Sequence, residues 1–181
     1  WKDPFSSPQF TGRQNAYARA FGSDRIYTPQ LVIDGRYEVV GSDWPAVRRA
    51  LSESARTPRA MVRVSGTRSA DSDHASVRVV VRDLPKEMAR NGGQTVIAVV
   101  EDGLVTDVAR GENARRRLRH SAVVRMLETI GSLEPGATAG EFVREVVLDR
   151  TWRRDRIRIV GFVQDVRTLS VSGVGAAALP N

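Results

Sequence analysis

The sequence predicts an α+β protein: a helix–hairpin–helix segment over residues 1–56, then an antiparallel β-sandwich-like domain over 57–181. Three observations lead there. Up to residue 56 two capped amphipathic stretches flank one hairpin signal. From residue 57 the pattern becomes short β-rich runs separated by turn residues. Between them lies SESARTP (52–58), polar and ended by proline, which reads as a linker.

The elements follow in order. Ser7-Pro8 opens the first helix, with Ser7 as cap and Pro8 at the first helical position, and Gly22 closes it. Phe10, Tyr17 and Phe21 share one face. Leu31–Ile33 and Tyr37–Val40 are strand-like, and Asp34-Gly35 between them signals a two-residue hairpin turn. Ser42-Asp43 caps a second helix with Pro45 in its first turn and an apolar stripe of Trp44, Val47, Ala50 and Leu51. Beyond the linker, residues 60–64, 75–84, 95–100, 104–109, 141–148 and 157–163 read as strands. Val77, Val79 and Val81 alternate with Arg78, Val80 and Arg82, a half-buried strand pattern. Glu101-Asp102-Gly103 reads as another hairpin turn and 132–140 as a loop. Residues 118–130 fit a helix and a strand about equally.

Composition narrows the chemistry. The net charge is +7, carried almost wholly by arginine, with Lys2 and Lys86 the only lysines. These arginines are spread through strand faces without stacking aromatics, which argues against nucleic-acid binding. No apolar run approaches the ~20 residues that span a bilayer, and no signal peptide is visible. The chain opens on Trp1 rather than methionine, so its start reads as truncated. With no cysteine there is no thiolate nucleophile, disulfide or Cys-type metal site. Two histidines, His74 and His120, are too few for a His-rich metal centre, and Asp71-Asp73-His74 lacks a recognised ligand spacing. His120 with Asp107 or Glu112 lacks an accompanying nucleophile, so no catalytic residue and no cofactor is expected. Trp1, Trp44 and Trp152 read as core or interface aromatics.

The order helix, Thr28-Pro29, strand, Asp-Gly turn, strand, Gly41, helix resembles the C-terminal half of a thioredoxin fold. More narrowly, residues 1–43, the segment VARGENARRRLRHSAVVR (108–125) and the closing IVGFVQD…GVGAAAL (159–179) resemble a secreted bacterial thioredoxin-like family known as domain of unknown function 1223. The family's N-terminal strand–helix–strand with its Cys-X-X-Cys pair has no counterpart here.

The resemblance implies a cis Thr28–Pro29 bond and a substrate lip of Tyr27, Thr28, Pro29 and Gln30 that offers backbone groups to an extended peptide. It implies thiol–disulfide exchange in the intact protein, a periplasmic or secreted location, and redox inactivity in this cysteine-free chain. A non-enzymatic module contacting another envelope protein is the alternative. The signature residues Gly111, Glu112, Asn113, His120 and Arg125 are expected to be structural, with His120 packed beside Val123 and Val124. The strand 30–33 is expected to have one unpaired edge and so to favour self-association unless that edge is covered.

Overall fold

The structure, a computed structural model, describes residues 3–23, 26–68, 72–108 and 115–179. In chain order it runs α1 (Pro8–Ala20), β1 (Gln30–Ile33), β2 (Tyr37–Val40), α2 (Trp44–Ser54), β3 (Met61–Arg68), β4 (His74–Arg82) and α3 (Lys86–Asn91). It continues through β5 (Gly93–Glu101), β6 (Leu104–Asp107), β7 (Arg117–His120), β8 (Val123–Leu133), β9 (Gly140–Val147), β10 (Ile157–Asp165) and β11 (Val171–Ala178). The fold is α+β with antiparallel sheets throughout.

Both N-terminal helices begin where their caps predict. The Ser7 hydroxyl accepts from Phe10 N at 3.3 Å, and the Asp43 carboxylate accepts from Ala46 N at 3.0 Å. Between them β1 and β2 form a two-stranded ribbon in which Ile33 faces Tyr37, so three residues rather than two make the connection. Asp34 (φ 49°) and Gly35 (φ 61°) both take the left-handed conformation that the Asp-Gly pair favours. Arg36 N bonds back to Ile33 O at 3.0 Å, which leaves Arg36 outside the ladder.

The β-rich part is a sandwich of a four-stranded sheet, β11-β10-β5-β8, and a three-stranded sheet, β3-β4-β9. Val77, Val79 and Val81 of β4 are fully buried and face Ile97 and Val99 of β5 and Ile159 and Val163 of β10. Each such side chain contributes roughly 1.5–3 kcal/mol by leaving water. Where β11 passes β3, Gly173 and Gly175 allow contact. A methyl group at Gly173 would stand 2.6 Å from Ala60 O, and one at Gly175 would collide with Val62 O.

One expectation fails on topology, and one open reading is decided. Residues 101–103 do not make a hairpin, because β5 pairs with β8 and β10 while β6 pairs with β7 in a separate ribbon. The ambiguous 118–130 stretch is β7, a turn at Ala122 (φ 50°) and then β8. Both faces of β8 are half-buried, which blurs its two-residue period.

The helix–hairpin–helix segment rests on the outer face of the four-stranded sheet. That face of β5 is buried: Val96, Ala98 and Val100 are at most 4% exposed. Gln9 Nε2 donates to Leu127 O at 2.8 Å. Gln164 Nε2 donates to Tyr17 Oη at 2.9 Å, and Arg13 Nη1 donates to Gln164 Oε1 at 3.2 Å.

Candidate substrate-binding cleft

The hairpin is fixed by its turn. Asp34 O accepts from Val171 N at 2.7 Å, where β11 begins. The Asp34 carboxylate accepts from the Ser54 hydroxyl at the end of α2 and from Arg59 Nη2 at 2.5 Å. Burial alone would raise the Asp34 carboxyl. The hydrogen bonds from Arg59 and Ser54, with the charges of Arg59 and Arg36, outweigh it and hold the group below the usual carboxylate range. Gly35 lies so close to Leu169 O that no side chain fits there.

The segment ahead of β1 faces α1 across a cleft of about 610 Å³, and Tyr27, Thr28, Pro29 and Gln30 all line it with Phe10 and Gln14. The four lip residues expected from the sequence therefore stand together. The Thr28–Pro29 bond is cis, as the resemblance implies. Gln14 Nε2 donates to Gln30 Oε1 at 3.0 Å, and Gln30 Nε2 donates to Glu38 Oε1 at 3.1 Å, so one amide–carboxylate relay crosses the cleft. Burial pushes the Tyr27 phenol up, and the hydrogen bond and charge of Glu38 act in the same direction.

Backbone alternation decides which groups remain open. Pro29 O accepts from Gly41 N at 2.8 Å, so Pro29, Leu31 and Ile33 direct their polar groups toward β2. Thr28, Gln30 and Val32 then turn theirs to the outer edge. Among the described residues no strand pairs with that edge, as expected, and Asp34 alone is met, by Val171. Leu31, at 36% exposure, stands in the open beside it.

The signature residues lie elsewhere. Gly111, Glu112 and Asn113 fall outside the described residues. His120 and Arg125 converge on Phe5. The Phe5 ring meets the His120 ring edge-on at 5.1 Å, and His120 Nε2 pairs with Thr106 Oγ1 at 3.0 Å. The Arg125 guanidinium sits over Phe5 at 5.6 Å and over Trp152 at 5.5 Å. It also stands 3.6 Å from the Glu101 carboxylate, which is 1% exposed and accepts from Arg153 N at 3.1 Å. These contacts clamp the turn that leads into α1, closed by Ser6 N to Asp3 O at 3.2 Å, onto the sheet. Glu101 was not singled out from the sequence, although a lone acid ending the apolar run VIAVVE marks a charge carried inward. Trp152 is half-buried in this clamp, whereas Trp44 is 67% exposed and no part of the core; Leu51 beside it on the stripe is 52% exposed. Asp73 is tied to Arg150 at 2.6 Å and to Arg154 at 3.1 Å, and His74 is exposed. Among the described residues no three His, Asp or Glu side chains gather to hold a metal, and no helix is long and apolar enough to cross a membrane.

One solved structure shares the fold. The crystal structure of protein AGR_C_4864 from Agrobacterium tumefaciens is similar with a TM-score of 0.69 at 20% identity, over 100% of this chain and 74% of that one. A domain of the outer membrane lipoprotein Omp28 from Porphyromonas gingivalis matches over 65% of this chain and 94% of that one at 13% identity, with a TM-score of 0.36, too low to carry an argument. No curated protein matches the sequence. The family profile described as "Protein of unknown function (DUF1223)" matches residues 1–164, and the chain belongs to that family.

Proposed function

We propose that this chain holds an extended polypeptide at Tyr27, Thr28, Pro29 and Gln30, as the substrate-holding C-terminal portion of an exported thioredoxin-like protein. The observation that carries the reading is the open backbone at Thr28 and Gln30, set on a cleft of about 610 Å³. An extended peptide gains affinity from main-chain hydrogen bonds at such an edge, and the cleft takes its side chains. The order α1, β1, β2, α2, with α2 packed on the hairpin, supports the thioredoxin-like assignment. Thiol–disulfide exchange belongs to the intact protein in this reading. It needs a thiolate, and this sequence contains no cysteine, so here the lip binds without reacting. Export to the periplasm is part of the proposal and rests on the family resemblance; osmotic-shock fractionation tests it.

The same lack of cysteine favours a second reading, a non-enzymatic binding or assembly module that uses the same lip on an envelope protein. Binding is tested on this chain with reduced, carboxymethylated ribonuclease A, a permanently unfolded probe, by amide chemical-shift mapping. Shifts at Tyr27, Thr28, Gln30 and Gln14 support the lip. Shifts confined to other surfaces, or none at millimolar probe, overturn it. The two readings divide on protein expressed with the codons upstream of Trp1: reduction of insulin disulfides supports the first and its absence the second.

A further inference from the structure

A groove of about 850 Å³ lies on the opposite sheet from the lip and is unused by the reading above. It runs along the outer face of β3 and β4 and reaches Gly175 and Ala176 of β11. β3 and β11 are the end strands of their two sheets, and among the described residues one backbone bond ties the start of β11 to the chain just ahead of β3, from Ala60 N to Ser172 O at 2.7 Å. The groove is therefore walled by strand edges that keep unpaired backbone groups.

Three arginines line it at a regular interval. In the β3–β4 register Met61 faces Arg82, Arg63 faces Val80 and Ser65 faces Arg78. Arg82, Arg63 and Arg78 thus follow one another in two-residue steps along the strand direction, about 7 Å each. Arg78 is committed, with Nη2 at 2.8 Å from Glu141, whose carboxyl it holds below the usual range. Arg63 and Arg82 make no hydrogen bond and join no ion pair among the described residues, although Glu141 feels the Arg82 charge. Asp83, at the end beside Arg82, is the one acid on the lining. Met61, Val80 and Ala176 supply apolar surface between the charges.

We propose that this groove binds an extended acidic segment of a partner protein, with Asp or Glu at alternate positions. An extended chain repeats its side-chain direction every two residues, about 7 Å, the same step as the arginines. Each guanidinium offers a planar fork to a carboxylate. The intervening side chains meet Met61 and Val80. A single-stranded nucleic acid finds no aromatic platform on this lining.

The test uses fluorescein-labelled Ser-Glu-Val-Glu-Val-Glu-Ser, read by anisotropy, against a peptide of the same composition with its glutamates contiguous. Binding of the alternating peptide is expected to weaken with salt and to fall about tenfold in the Arg63→Ser/Arg82→Ser double variant. The contiguous peptide is expected to bind several-fold more weakly. If the double variant melts early, Arg63→Gln alone replaces it, with an expected loss of about threefold. The proposal is overturned by unchanged binding in a folded variant, by equal binding of the two peptides, or by oligothymidylate binding more tightly than the alternating peptide.

Discussion

Replacing Asp34 by Asn keeps the size and the tolerance of a left-handed backbone but removes the charge. The wild-type carboxylate takes hydrogen bonds from Arg59 and from Ser54, which is 2% exposed. Hydrogen bonds to a charged group contribute about 1.5–3 kcal/mol and neutral ones about 1, so Asp34→Asn should cost roughly 1–2 kcal/mol. For a chain of 181 residues that lowers the melting temperature by about 3–6 °C. The sign of the pH dependence follows from the depressed carboxyl. A group whose folded pKa lies below its unfolded value stabilises fully above the unfolded value, about 3.9, and loses that contribution as pH falls through the folded one. The gap between wild type and variant should be full at pH 7 and close in strongly acid solution. Thermal unfolding by circular dichroism at both ends of that range measures it. Equal melting at pH 7, or a gap that persists undiminished after Asp34 is protonated, would refute the reasoning.

Gly35→Ala places a methyl in a left-handed residue and against Leu169 O, and should cost roughly 2 kcal/mol or more in the same assay. Arg125→Met leaves the buried Glu101 with Arg153 as its remaining cation, an expected loss of about 3 kcal/mol with a shift of Trp152 fluorescence; an unchanged melt sinks the clamp. The outward amide of Val32 is not needed by the β1–β2 ladder, so Val32→Pro should fold and abolish concentration-dependent association in sedimentation velocity. A wild-type chain that stays monomeric at every concentration contradicts that prediction.

Local signals were legible. Ser7, Asp43 and the Asp34-Gly35 pair act within a few residues of themselves, so the caps and the place of the turn could be read directly, though not the turn's third residue, Arg36. Val77, Val79 and Val81 declared their face because β4 is central to its sheet and wet on one side. Partner choice was not legible. Glu101-Asp102-Gly103 has turn chemistry, yet β5 already has β8 and β10 on its two edges, so the strand after the turn must leave the sheet. β8 lost its alternation because residues far away in sequence cover its second face. The four residues Tyr27, Thr28, Pro29 and Gln30 came from the resemblance, whereas the cleft they line depends on where α1 docks, and no local pattern encodes that. The spacing of Arg82, Arg63 and Arg78 along one face is likewise a product of register. From the sequence these were scattered arginines on strand faces.

The two walls of the cleft are held separately by the same sheet. α1 is fastened through Gln9 to Leu127 and through Arg13 and Tyr17 to Gln164. The lip is fastened through Asp34 to Val171, the first residue of β11, just beyond the turn that follows Asp165. Directly across the cleft the one side-chain bond among the described residues is Gln14 to Gln30. The width of the cleft is therefore set by the β10–β11 connection more than by the helix–hairpin–helix itself. Gln164 sits at the joint, bonding Tyr17 on one wall and Leu169 O, at 2.6 Å, beside the other. In the proposed reading the lip needs its two sides at a fixed spacing, because affinity falls when the groove must be ordered on binding. This gives a physical reason for the β-rich part to share a chain with the lip: it is the rigid frame on which both walls are mounted.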